Sequence, residues 1–238
     1  PAIDRSGTKR RGAFDTPAAM ARETVRIAIE SSQRRLRTAI DPACGTGAFL
    51  VALNEHIDCQ ITGIELDPVA AAVAAVAVPN ATVICADGFS QEATCDIIVG
   101  NPQFVPPERQ NKTLRAHLRT AMPWLTGRFD LAVPFAAHSI ARVRSGGGVG
   151  LVLPESIMHK PYAMALRTQW LNDHTIVHLS HASPFPGAQV GVVVLGMTVG
   201  TGPAPLPSGI EPQSILELPA APLHPSLKPG DAEIVQHI

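Results

Sequence analysis

An α/β fold wound around a mostly parallel sheet is what this sequence predicts, and three observations predict it. From residue 38 onward, short apolar β-rich runs alternate with stretches of helical periodicity. A glycine turn, Gly45-Thr46-Gly47, follows the first run and opens a helix, where wound sheets bend a strand into its crossover. The last two runs flank Ser183-Pro184-Phe185-Pro186-Gly187, a turn-rich stretch that predicts an antiparallel hairpin.

The strands are expected at 38–41, 60–65, 81–85, 95–99, 147–153, 174–181 and 189–199, each a short run bounded by turn formers. Helices fit 17–31, 48–56, 68–77, 129–144 and 161–172. The fourth brings Leu131, Phe135, His138, Ile140 and Val143 close to one face. After Gly200 the texture changes. Residues 201–238 hold eight prolines and little periodicity, so the expected division is a domain over 1–200 and a Pro-rich linker, or the start of a further module, over 201–238.

With 238 residues, 45% of them hydrophobic and 16% charged, the chain is globular and long enough for one large core. No apolar run reaches the roughly 18 residues of a membrane span. The opening Pro-Ala-Ile-Asp-Arg does not read as a signal peptide. Cys44, Cys59, Cys85 and Cys95 form no CxxC pair and lie in apolar segments, as reduced core thiols of a cytoplasmic protein would. Net charge is only −1, but its distribution is uneven. Residues 1–37 carry nine Lys/Arg against four Asp/Glu, residues 38–104 carry eight acids and no Lys or Arg, and residues 105–144 carry seven bases against two acids. An acidic centre between basic flanks suits a cationic small ligand inside and a polyanion outside.

The acids of that centre fall at strand ends. Asp41 ends the first strand in Asp41-Pro42-Ala43-Cys44-Gly45-Thr46-Gly47. Gly45 and Gly47 allow a tight turn and close approach by a ligand. The third glycine of a dinucleotide loop is missing, with Leu50 in its place, and a carboxylate here would repel pyrophosphate but welcome a sulfonium. Glu65 ends the next strand, where an acid takes hydrogen bonds from ribose hydroxyls. Asp87 follows the third and is placed to accept from an adenine amino group, with Phe89 against the ring. Together they point to S-adenosylmethionine.

The fourth strand empties into Asn101-Pro102-Gln103-Phe104. An adenine N6 lone pair is delocalised into its ring and attacks a methyl group poorly. The Asn101 side-chain oxygen and the Pro102 carbonyl, each accepting one N6 hydrogen, would steer that nitrogen toward sp3. Phe104 would stack on the base, worth ~1–3 kcal/mol. No metal or covalent nucleophile is required.

In this order the motifs resemble the γ-type N6-adenine methyltransferases of DNA restriction–modification systems, over about residues 10–200. Gly12-Ala13-Phe14-Asp15-Thr16-Pro17 looks like their first block, and DPACGTGAF, GIELDP, ADGF and NPQF like the next four. Phe129-Asp130-Leu131, the run 147–154 and Phe185-Pro186-Gly187-Ala188-Gln189-Val190 resemble later ones. The resemblance implies a class I S-adenosylmethionine-dependent methyltransferase fold, with seven strands, the last reversed, and helices on both faces. It implies that Thr16 contacts the methionine carboxylate, that Ala43, Gly45 and Gly47 join Asp41, Glu65, Asp87 and Phe89 around the cofactor, and that Phe185 faces Phe104 across a flipped adenine. Unstacking that base costs a few kcal/mol. Gln103 stands where the family usually has a second proline, which frees φ just after the carbonyl that would hold N6. Reading of the DNA sequence is expected from a C-terminal recognition region or a specificity subunit.

Two other readings stay open: an amino-methyltransferase of RNA or protein glutamine, and a subunit that holds cofactor or DNA without turnover. The nine histidines suggest no metal set, since His174 and His181 should face opposite ways on their strand. Trp124 and Trp170 read as packing. Arg109, Lys112, Arg115 and Arg119 have spacings that allow one cationic helix face toward phosphates.

Overall fold

The computed structural model describes residues 16–182, 191–208, 210 and 215. Helix α1 (Ala18–Ser31) leads into β1 (Thr38–Asp41), α2 (Ala48–His56), β2 (Gln60–Glu65), α3 (Pro68–Ala77), β3 (Thr82–Cys85) and β4 (Cys95–Gly100). Then come α4 (Lys112–Ala121), α5 (Ala132–Ala141), β5 (Val143–Pro154), α6 (Met164–Asp173), β6 (Thr175–Ala182) and β7 (Val192–Thr198). Local chemistry explains several of these boundaries. Asp67 caps α3, its side chain accepting from the Val69 and Ala70 amides with Pro68 just inside the helix. Asn111 caps α4 in the same way through the Thr113 amide.

The seven strands form one sheet in the order β3-β2-β1-β4-β5-β7-β6. β1 pairs in parallel with β2 and β4, β2 with β3, and β4 with β5, while β7 runs antiparallel to both β5 and β6. The reversed last strand and the terminal hairpin are therefore as expected. Strand order turns back between β1 and β4, so their carboxyl ends open a crevice at the switch point. Side chains of the wholly buried β4 divide between two cores. Ile97 and Val99 join residues of α1, α2 and α3 on one face, and Ile98 joins residues of α4, α5 and α6 on the other. Beyond Gly200, Leu206 and Ile210 lie against the second core and Ile215 is buried in it.

One contact sets how near α1 lies to the sheet. A Cβ on Gly148 would stand 2.0 Å from the Ala28 carbonyl oxygen, and one on Gly150 would stand 2.5 Å from that of Thr24. Only glycine lets the helix backbone rest directly on β5.

Three expectations need correction. The helix expected over 129–144 covers only Ala132–Ala141, and β5 begins at Val143 rather than 147. The strand runs on through Gly146 and Gly147, and a Cβ on Gly147 would meet the Asp96 carbonyl at 2.4 Å. The second concerns the thiols. Cys44 and Cys95 are buried, but Cys85 is exposed and Cys59 only half-buried. Cys85 ends β3, an edge strand with little cover, so an apolar neighbourhood in sequence did not bring burial. Third, the helix that the cationic spacing allows, given no bounds among the expected helices, is α4 at 112–121. Leu114 and Leu118 face the core from it, and the rest of its surface is mostly charged and polar.

Candidate active site

The crevice collects most of the predicted cofactor residues. Gly45 and Gly47 both take left-handed φ, +53° and +98°, and turn the chain from β1 into α2. The Cys44 amide ties this loop to the Ile64 carbonyl of β2 at 2.9 Å. Glu65 braces it. Oε2 accepts from the Gly45 amide at 2.9 Å and Oε1 from the Asp67 amide at 2.8 Å, in a nearly buried carboxylate. Each oxygen has a second lone pair, so this brace leaves room for further donors. Asp87 is exposed and accepts from the Phe89 amide at 3.0 Å, while the Phe89 ring stands edge-on to Phe135 at 5.0 Å. Ala43, Glu65, Asp87 and Phe89 line one pocket, joined by Gln103 and Leu131.

Asp41 lies beneath this pocket rim, fully buried. Its Oδ1 accepts from the Ala43 amide at 3.0 Å, and Oδ2 has no hydrogen-bond partner. Burial, reinforced by the charge of Glu65 and opposed by the Ala43 amide, pushes the carboxyl up to about 8 from its ordinary 3.8. The folded protein therefore holds a proton between about pH 4 and 8 that the unfolded chain releases. The sign follows: that stabilisation is complete below pH 4 and is lost as pH rises through 8. Without ligand, stability in denaturant melts should fall from pH 5 to 9 by on the order of a few kcal/mol. Asp41→Asn should flatten the slope; an equal slope in that variant would place the titrating group elsewhere.

The target side begins where β4 delivers Asn101. Its Nδ2 donates to the Thr16 hydroxyl at 3.1 Å, and its Oδ1 is buried without a partner. Thr16, expected at the cofactor, thus also orients the Asn101 amide from the start of α1. The two halves of the site adjoin, since a Cβ on Gly100 would come within 2.9 Å of Asp41 Oδ1. Pro102 is buried. Phe104 is half-buried against the α1-side core, across the sheet from Phe89. Phe185 lies outside the described residues.

Sequence reasoning missed what holds this loop. Gln110 is buried and donates from Nε2 to the carbonyls of Val105 and Phe129, both at 2.7 Å. The Leu131 amide donates to the same Val105 carbonyl at 3.1 Å. Asp130 accepts from the Ala132 amide at 2.9 Å; burial pushes its carboxyl up, against hydrogen bonds from Ala132 and Val105. Asp130 was visible only as part of a motif, and nothing around Gln110 in sequence marks it.

Two of the cationic side chains also bond carbonyls of the chain. Arg115 donates to the Pro107 carbonyl at 3.3 Å, and Arg119 donates to the Gly127 carbonyl with its guanidinium 5.7 Å from the Phe129 ring centre. These contacts fold the two side chains onto the protein. Arg109, Lys112 and Arg119 are exposed, and Arg115 is half-buried. Trp170 is a core residue, and His174 accepts from the Gly200 amide through Nδ1. Among the described residues, no three His, Cys, Asp or Glu side chains group to hold a metal ion, and no helix is long and apolar enough to cross a membrane.

Comparison with known proteins agrees with this geometry. A protein of Listeria monocytogenes assigned to the class I S-adenosylmethionine-dependent methyltransferases superposes with a TM-score of 0.63 at 15% identity, covering 86% of this chain and 67% of that one. The methyltransferase subunit of a type I restriction–modification system from Streptococcus thermophilus superposes at 0.61 and 14% identity, over 79% of this chain and 45% of its own. The sheet is thus that of the class I methyltransferases. In sequence, the type II methyltransferase M.PaeR7I of Pseudomonas aeruginosa is 31% identical over 77 residues, 32% of this chain. The match spans only 13% of that relative's length. Residues 4–179 match the N-6 DNA Methylase family across most of the chain, and this protein belongs to that family.

Proposed function

We propose that this chain transfers a methyl group from S-adenosylmethionine to the exocyclic N6 of adenine in DNA, within a restriction–modification or phage-defence system. The observation that carries the reading is Asn101. It ends β4 at the switch point, beside a buried acid, with its amide nitrogen engaged by Thr16 and its oxygen unpartnered. An unpaired buried carbonyl costs about 1–3 kcal/mol unless a donor arrives, and an N6 amino group is such a donor. The Pro102 carbonyl takes the second N6 hydrogen in this reading, and Phe104 and Phe185 clamp the flipped base.

The residues of the crevice fit the cofactor. Asp41 has an orphaned oxygen in a region without a basic residue, and an incoming sulfonium would favour the carboxylate over the proton it holds in the empty site. Glu65 has lone pairs left for ribose hydroxyls, Asp87 is open to an adenine amino group, and Phe89 is held where it can cover the ring. Ala43, Gly45 and Gly47 bring backbone close, and Thr16 is the contact for the methionine carboxylate. When bound, the cofactor supplies an electrophilic methyl; the chain's own work is to aim the amine and exclude water.

The partners in this reading are DNA and a recognition module, in a longer chain or a separate specificity subunit, acting in the cytoplasm. Transfer of labelled methyl to unmethylated DNA, RNA and a glutamine peptide tests the reading. Incorporation into DNA adenine is expected, and incorporation only elsewhere, or none, overturns it. Phosphate contact should fall to the exposed cations. Lys112→Ala is expected to reduce the salt slope of DNA binding by about one, while Arg115→Ala leaves it unchanged. Binding isotherms between 50 and 200 mM salt, on the order used for such slopes, decide this.

A further inference from the structure

We propose that Gln110 is a positioning residue for the target loop, holding Val105 so that residues 101–104 present the Asn101 carbonyl to the incoming amine. This deepens the methyl-transfer reading and rests on it. The loop is a short span between two fixed points. One end leaves β4 at Gly100, which pairs with Leu151 of β5. The other end is Val105, whose carbonyl accepts from both Gln110 Nε2 and the Leu131 amide. Gln110 Nε2 also donates to the Phe129 carbonyl, so one side chain ties the loop to the segment entering α5. Asp130 grips that junction from the other side through the Ala132 amide.

The chemistry of position 110 argues for more than packing. Gln110 is buried at 8% exposure, and its Oε1 has no hydrogen-bond partner. The unpaired Oε1 works against stability, and an apolar side chain of similar volume would spare it only by leaving the Phe129 carbonyl without its donor. What only the amide supplies is two donors to two carbonyls of segments far apart in sequence. Displacing a positioning loop by about 1 Å can lower a rate about a hundredfold while ligand binding survives.

The test uses the whole chain, with Gln110→Leu and Gln110→Glu beside the wild type. Gln110→Leu should melt a few degrees lower, with the Phe129 carbonyl left without a donor, yet bind cofactor within about twofold at temperatures where it is folded. Its kcat should fall about a hundredfold with KM for DNA little changed. Amide hydrogen exchange, measured without ligand, should accelerate at Gln103–Val105. Gln110→Glu places a carboxylate against two carbonyls and regains one donor only when protonated, so its kcat relative to wild type should rise as pH falls. Wild-type kcat in Gln110→Leu, or unchanged exchange at Gln103–Val105, would overturn the proposal. If the wild type methylates no DNA, the DNA reading fails by itself. The exchange measurement needs no substrate and still decides the tether: acceleration supports it, no change overturns it.

Discussion

Asn101→Ala is expected to lose methyl transfer by about a thousandfold while cofactor affinity and fold stability hold or improve. The carbonyl that would accept from N6 is buried without a partner, so the folded protein bears its desolvation cost of about 1–3 kcal/mol. Deleting the side chain removes that cost along with the hydrogen bond to Thr16. In the transition state the same carbonyl faces an amine becoming cationic, where its hydrogen bond strengthens. The loss should therefore appear in kcat rather than in cofactor binding. Single-turnover methylation, calorimetry and a melt on one preparation separate the terms. Full turnover in Asn101→Ala, with the chain and any recognition partner present, would move the target site away from this loop.

A second large effect is expected at Gly148. The added methyl of Gly148→Ala would sit 2.0 Å from the Ala28 carbonyl oxygen, with the backbone amide of Ser32 also close. Neither neighbour is the loose end of a flexible side chain, so α1 must lift as a unit. Overpacking usually costs 1–3 kcal/mol, and backbone on both sides puts this case at about 3 kcal/mol or more. Against a typical stability of 5–15 kcal/mol that is a large fraction. Gly127→Ala is the control. No atom stands within 4 Å, and its φ of +63° alone should cost about 1–2 kcal/mol. Denaturant melts giving equal losses for both variants would show that α1 gives way easily.

Much of the architecture was legible because its signals are local. Asp41, Glu65 and Asp87 follow short strands, and a strand's end can be read from its own residues. Asn101 was legible for the same reason. The thin-walled contact between α1 and β5 was not, because its cause lies on two segments that never meet in sequence. The glycines at 148 and 150 show only that something comes close; they do not say that it is Thr24 and Ala28. The carbonyl partners of Arg115 and Arg119 were hidden on similar grounds. Helical spacing put them on one face, but carbonyls of Pro107 and Gly127, outside the helix, claim them. Gln110 was invisible because a lone polar residue in a loop is ordinarily solvated, and only the fold buries it. Cys85 shows the converse, an apolar stretch left at an uncovered edge.

The seating of α1 on the glycines of β5 also bears on the order of events as the chain is made. The helix leaves the ribosome early, yet the surface that receives it is built from Gly148, Gly150 and Gly196, the last on β7. The face of α1 with Val25 and Ala28 can rest on β4 and β5 once these are made, and β7 then adds Gly196 to the same seat. Thr16 stands just before this helix, so its hydrogen bond to Asn101 depends on the seating of α1. A half-made chain has the acids and the glycine turn of the crevice but no Thr16 to orient Asn101. In the proposed reading, the capacity to aim an amine therefore arrives with the seating of α1.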